Sequence, residues 1–443
     1  MVRAKLAIVS LSAAIAFYAI VGGFLSVQKN VFAKGDPYVQ LRIFGDVLRH
    51  IVKDYVDEPD LEKVRIGALR GLAEGLDPYS AYLTREQVKK YKPVSMEQPE
   101  TGLVLSKVAG YIYVVSVLRG SAAEKAGLRS GDFIEYLLGF ATRDISLYDA
   151  QELLSSAAGS EVEMKVFRRG RPYKVKFKAA KSVQPAIEAS VLEPGIGYVR
   201  VTSLAEGKDL ELADRLEELK SKGIYKLILD LRGTANGRIS TAAAAANLFI
   251  GSGVLAKAIG QNETVAASFS AERSKCRFEG QLVLLIDKST AGGGEVLAAA
   301  IASAKRGELV GERTFGAGSE QRLFELKDGS GLLLTVAKYA DPNGKPFMGE
   351  NPGLLPTVEV RSAEVSEALL PESEDQVIEE DSNYPPLPVE PAPTEDLQLK
   401  KALEVIKNQT QQPGERKVAG ELSSPYGVPV PVNKRATRLG TRL

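Results

Sequence analysis

Leu282-Val283-Leu284-Leu285-Ile286-Asp287-Lys288-Ser289-Thr290-Ala291-Gly292-Gly293-Gly294-Glu295, residues 282–295, joins five consecutive apolar residues to a small, polar turn. A helix reads on from Glu295 to Ala304. A strand with one wet face alternates apolar and polar residues, whereas a run apolar at every position is buried on both faces, as in a parallel sheet covered by helices. Tyr198 to Val201 and Lys226 to Leu231 read as further strands around a helix spanning 208–221. Strands and helices therefore alternate from 195 to 360, and the fold class is α/β with parallel crossovers. Arg322 to Leu326 and Gly331 to Tyr339 read as a hairpin joined at Asp328-Gly329, a strong turn dipeptide.

Upstream, the character of the chain changes twice. Val39, Leu41, Phe44, Val47, Leu48, Ile51 and Val52 recur at helical spacing, and a second such pattern runs from Leu61 to Leu76, so 38–92 reads as helical. Residues 101–180 are β-rich, with runs such as Tyr111-Ile112-Tyr113-Val114-Val115 and Val162-Glu163-Met164-Lys165-Val166. Two short helices, Ser121 to Leu128 and Leu147 to Leu154, interrupt them. Before all this, Leu6 to Val27 carries no charge and follows Arg3 and Lys5. At about 1.5 Å per residue it is long enough to cross a hydrocarbon layer about 30 Å thick. We read it as an uncleaved signal anchor with the bulk of the chain on the extracytoplasmic (periplasmic) side; secretion after cleavage near Ala33 is the alternative. Downstream, an acidic, Pro-rich linker (363–395), a helix from Asp396 to Lys407 and a basic tail (408–443) follow. The expected organisation is a 1–34 anchor, a 38–92 helical domain, a 96–182 β-rich domain, a 190–362 α/β core, and then that linker, helix and tail.

Composition narrows the chemistry. The chain has 443 residues, 44% hydrophobic and 26% charged, with a formal net charge of +1, so it buries a sizeable core and lacks the basic footprint of a nucleic-acid binder. One Cys (Cys276) and one His (His50) make neither an intramolecular disulfide nor a Cys/His zinc site. His50 lies in the 39–53 helical stretch and reads as a surface or packing residue, and Cys276 reads as a lone thiol in a β-rich stretch. No metal and no cofactor are expected.

Four collinear segments resemble one family, the C-terminal processing (tail-specific) serine peptidases. Asp77-Pro78-Tyr79-Ser80-Ala81-Tyr82-Leu83 is similar to its D-P-[HY]-S-x-Y-L, and Asp230-Leu231-Arg232-Gly233-Thr234-Ala235-Asn236-Gly237 to D-L-R-x-N-P-G-G. Thr314-Phe315-Gly316-Ala317-Gly318-Ser319-Glu320-Gln321 resembles T-F-G-K-G-x-x-Q. Ser121 to Asp132, with Thr101-Gly102-Leu103-Val104, resembles the family's PDZ domain. The resemblance implies a crotonase/ClpP-like parallel-sheet peptidase core, an inserted PDZ domain and an N-terminal helical segment.

It also implies a Ser nucleophile and a Lys base, and here the chain departs from the family. Anchoring S-A-S-A-S-E on Glu295 puts the nucleophile position at Gly292, and the base position falls at Ala317. Of the polar set, Gln321 remains. Asn236, Gly237 and Gly293 are the oxyanion-hole candidates, with Asn236 in place of a Gly. Lys288, Ser289, Thr290 and Ser319 lie close by and read as loop and capping residues rather than substitutes. A serine at 292 calls for φ below zero, and a positive φ would signal a rebuilt loop. The expected function is peptide binding without cleavage: Gly102, Leu103 and Val104 capture protein C-terminal tails or unfolded polypeptide, as adaptor or regulator. Helices near the chain ends are expected to support a homodimer or a heterodimer with an active relative. A serine endopeptidase with a relocated nucleophile is the alternative.

Overall fold

The computed structural model describes residues 37–91, 101–180, 184–362, 385, 387 and 395–409. The expected anchor, most of the linker and the basic tail lie outside these residues. Among the described residues no helix is long and apolar enough to cross a membrane.

Helices α1 (Pro37–Asp54) and α2 (Leu61–Glu74) follow the periodicity read from the sequence. Asp60 starts α2 by accepting from the Glu62 and Lys63 amides. His50 is on the surface, its Nδ1 2.7 Å from Asp54 Oδ2. The helical reading of 38–92 then needs correction, because Ala81–Leu83 is strand β1. The Asp77 carboxylate accepts from the Tyr79 and Ser80 amides and the Ser80 hydroxyl, which folds Asp77-Pro78 into a turn and aims the chain outward. β1 pairs antiparallel with a strand some 250 residues later (Ala81 opposite Leu333), a partner no local pattern announces. Helix α3 (Arg85–Lys90) closes this part, with Thr84 and Gln87 forming a capping box.

The β-rich domain has strands β2 (Leu103–Val108), β3 (Tyr111–Val117), β4 (Phe133–Leu137), β5 (Phe140–Ala141), β6 (Glu161–Arg168) and β7 (Arg171–Lys178) in the order β2-β3-β4-β6-β7, with β5 on β4. Val162, Met164 and Val166 alternate inward along β6 and meet Ile112, Val114, Ile134 and Leu137. Of the two helices, α4 is a single turn (Ala122–Lys125) rather than the full 121–128, since Gly127 at φ +87 takes the chain out of helical space. α5 (Leu147–Ser156) starts at a Ser146/Asp149 capping box.

The core sheet runs β17-β14-β13-β10-β9-β8. It comprises β8 (Glu188–Glu193), β9 (Ile196–Arg200), β10 (Lys226–Asp230), β13 (Gln281–Ile286), β14 (Glu308–Gly311) and β17 (Val358–Glu359), all parallel except the β8–β9 hairpin. The reason Leu282 to Ile286 is apolar throughout is now explicit. Leu282, Leu284 and Ile286 pack under α6 (Lys208–Ser221), α7 (Ile239–Asn247) and α8 (Gly293–Ser303). Val283 and Leu285 pack with Ala402 and Ile406 of α9 (Leu397–Asn408). Burying two faces by elements over 100 residues apart makes α9 part of the core. Arg232 bolts it there, donating to Asp230 (2.9 and 2.7 Å) and to Asp396 (2.9 and 2.8 Å) while Tyr198 also donates to Asp230.

A second, antiparallel sheet extends the hairpin joined at Asp328-Gly329. β11 (Val254–Ile259), β12 (Val265–Ser270), β15 (Ser319–Glu325) and β16 (Gly331–Ala340) join β1, in the order β1-β16-β11-β12 with β15 on β16. Its ladder ties the Asp77 turn to the core, since the Thr335 amide donates to Ser80 and the Thr335 hydroxyl to Asp77. Cys276 is half-buried just after a short 3-10 turn (Arg273–Lys275), not within a strand.

Candidate active site

The site is the turn between β13 and α8. Asp287, at the end of β13, accepts from the Ser289 amide (3.1 Å), the Ser289 hydroxyl (2.8 and 2.7 Å) and the Thr290 hydroxyl (3.0 Å). Thr290 also donates to the Leu231 carbonyl, and the Ala291 amide to that of Thr234. The turn is thus stitched to the Asp230–Gly237 loop. Ser289 and Thr290 spend their hydroxyls on that stitching, and Lys288 is exposed.

Gly292 follows with φ +51 and ψ −114. This is a conformation glycine adopts freely and L-residues adopt under strain. The sign of φ differs from what a serine there was expected to need, but it does not mark the turn as rebuilt. A sharp, strained strand-to-helix turn is how a nucleophile is presented on other α/β folds. Space is not the obstacle either: a Cβ on Gly292 would meet the Ala235 carbonyl at 3.6 Å, an ordinary contact.

One buried carboxylate organises what lies around it. Glu295 Oε2 accepts from the Gly292 amide (3.0 Å) and the Ala317 amide (2.9 Å), while Oε1 accepts from Gly316 (2.8 Å) and the Thr314 hydroxyl. The positions matched to nucleophile and base therefore hang from a single oxygen atom. Burial pushes the Glu295 carboxyl up to about 7 against the opposing pull of those four donors. The sequence used Glu295 only as an alignment anchor; its role as the clamp was missed, although an acidic residue in the first turn of a buried helix is a signal for it.

Ala317 is 3% exposed, in an apolar cluster with Val115, Ala235 and Ala291. Tyr79, Val104, Tyr113 and Phe315 pack on that cluster, so the β-rich domain lies directly against the site. Tyr113 stacks on Phe315, and the Ser116 hydroxyl donates to the Gly233 carbonyl at 2.6 Å. Gln321 points elsewhere. It donates to Ser319 (2.8 Å) and to Thr335 (3.2 Å), which leads to Asp77.

The oxyanion candidates separate. Asn236 turns its side chain away, accepting from the Leu204 amide and donating to Ser203, while Gly237 (φ +100) abuts the Leu204 carbonyl too closely for any Cβ. Gly293 begins α8 where a Cβ would collide with the carbonyls of Asn236 and Gly237, so the helix start and that loop pack closely beside Gly292. In the β-rich domain, Gly102 (φ +80) and Leu103 are buried, Val104 is half-buried, and β2 is an edge strand whose outer side pairs with no strand among the described residues.

Residues 195–360 of this chain match peptidase family S41. The α/β core of the chain is the part that matches this family. Residues 113–168 match the PDZ domain, which identifies the β-rich domain that packs on the S41 site. The chain is 31% identical over 298 residues to the carboxy-terminal processing protease CtpA of Bacillus subtilis (strain 168), which covers 67% of this chain and 64% of that protein. It therefore spans a little under two thirds of that relative. It is 27% identical over 355 residues to the carboxy-terminal-processing protease of Bartonella bacilliformis, covering 77% of this chain and 81% of that one. Among solved structures, a photosystem II D1 C-terminal processing protease superposes with a TM-score of 0.60 at 26% identity, covering 74% of this chain and 87% of the other. The expected α/β peptidase fold with a PDZ domain and N-terminal helices is the one observed. Among the described residues no cluster of His, Cys, Asp or Glu has the makings of a metal site.

Proposed function

We propose that this chain is a non-cleaving member of the S41 family that binds protein C-terminal tails through its PDZ domain, tethered on the extracytoplasmic side of a membrane by residues 6–27. The observation that carries the reading is the pair suspended from Glu295. Gly292 offers no hydroxyl to form an acyl-enzyme, and Ala317 offers no amine to take its proton. The neighbouring hydroxyls of Ser289 and Thr290 are held by Asp287, and among the described residues no Lys or His bonds to either. The groups of the Asn236–Gly237 loop that crowd Gly293 are carbonyl acceptors, which do not stabilise an oxyanion.

Incubated with an unstructured protein substrate and a fluorophosphonate probe, the purified chain is expected to cleave nothing and to take no label. Labelling that disappears in Ser289→Ala or Thr290→Ala would establish a relocated nucleophile and an active peptidase.

Peptide capture is the retained half of the family's chemistry. The open edge of β2 suits strand addition, with the amides of the Gly102 loop facing a terminal carboxylate. Peptides with a free apolar C-terminus are expected to bind at least about tenfold more tightly than their amidated forms, since a charge-assisted hydrogen bond contributes about 1.5–3 kcal/mol. Equal affinities in calorimetry would remove carboxylate capture. The exposed apolar residues of α1, Leu41, Phe44 and Leu48 among them, support pairing with a second copy or with an active relative.

A further inference from the structure

The PDZ domain also carries a contact on the edge opposite β2. β7 ends the sheet on that side, and α4 packs against it. Lys174, on β7, donates its amide to the carbonyl of Pro385 at 3.0 Å. Two residues on, Leu387 is half-buried and packs on the domain's hydrophobic core beside Gly127. The Gly127 carbonyl is itself held at 2.6 Å by Arg168, whose guanidinium is paired with buried Asp132. The floor of the contact is therefore a fixed surface rather than a loop that yields.

We propose that the surface between β7 and α4 is a peptide-binding site for a proline-flanked leucine in extended conformation, and that the chain fills it with its own Pro385 and Leu387. The ligand chemistry follows from the residues. Tyr384-Pro385-Pro386-Leu387-Pro388 is apolar, uncharged and proline-rich within a strongly acidic stretch. Prolines have no amide to donate and favour the extended polyproline conformation, so such a segment pays little ordering entropy and meets a sheet edge through carbonyl acceptors alone. β7 is built for a short ligand of that kind. Pro172 lies two residues before Lys174, with its nitrogen on the same outward side, and removes the neighbouring donor. One acceptor opposite Lys174 and one leucine beside Gly127 thus set a single register. The occupant is also covalently close to the core, because Asp396, which Arg232 binds beside the Gly233 loop, follows Leu387 on the chain.

The test separates this surface from the carboxylate loop by using a peptide with no free terminus. Acetyl-Tyr-Pro-Pro-Leu-Pro-amide is titrated by calorimetry into the whole chain and into Leu387→Asp. A tethered ligand competes at about millimolar effective concentration. The variant is therefore expected to bind the peptide at least tenfold more tightly than the wild type, and the same peptide with Asp for Leu to bind neither. In hydrogen exchange, the Lys174 amide is expected to exchange at least tenfold faster in the variant. A second variant, with residues 384–388 replaced by glycine and serine, should behave like the first and guards against an effect of the buried aspartate. Equal or absent peptide binding by both variants, or unchanged exchange at Lys174, overturns the proposal. Neither result bears on capture of free C-termini at Gly102.

Discussion

The chain carrying both Gly292→Ser and Ala317→Lys is expected to take a fluorophosphonate label and to cleave an unstructured protein at least about tenfold faster than the wild type, with each single variant at background. Nucleophile and base act as a unit, so their effects are far from additive. The backbone that would carry them is in place, because Glu295 holds the amides of 292 and 317 on one oxygen. Two costs oppose the gain. A serine at φ +51 adopts a strained conformation worth about 1–3 kcal/mol, although the space for its Cβ is open. A lysine at 317 enters a packed cluster of Val115, Ala235 and Ala291, at a further cost of about 1–3 kcal/mol. That same cluster is what lowers an amine's pKa enough to make it a base. Asn236 is not the barrier its replacement of a glycine suggested, since its side chain is occupied with Leu204 and Ser203. A well-folded double variant that remains silent, even with Asn236→Gly added, would show that the site has diverged beyond two side chains.

Glu295→Leu is expected to destabilise the chain by roughly 4 kcal/mol or more, because it orphans three buried amides and the Thr314 hydroxyl at about 1–3 kcal/mol each. The wild-type carboxyl also carries a pH signature. Its folded pKa, about 7, is above the unfolded value of 4.5, so between these values the folded chain keeps a proton that the unfolded chain has released. Stability contributed by this group is full below pH 4.5 and is lost as pH rises to about 7, by up to roughly 3 kcal/mol. Urea unfolding at pH 5 and pH 8 reads this directly. Glu295→Gln preserves the size, removes the titration and is expected to flatten that fall. An unchanged fall in the glutamine variant would assign the pH dependence to another group.

Local rules were enough for most elements. Helix 208–221, the Asp328-Gly329 hairpin and the doubly buried strand at 282–286 stand where their periodicity and turn chemistry put them, because each is dictated by residues a few positions apart. The motifs likewise carried the resemblance to the C-terminal processing peptidases, and it is that resemblance which points to positions 292 and 317. What tertiary structure decided has partners far away in the chain. Ala81–Leu83 became a strand because β16 offers it a ladder, overriding the helical run before it. β11 formed against β16, and β12 against β11. The direction of the Asn236 side chain was likewise settled by contacts with Ser203 and Leu204. Glu295 shows the reason most plainly. Side-chain type is local information, but the four donors that make this carboxylate a clamp come from its own helix start and a loop some twenty residues on, and only packing brings them to one point.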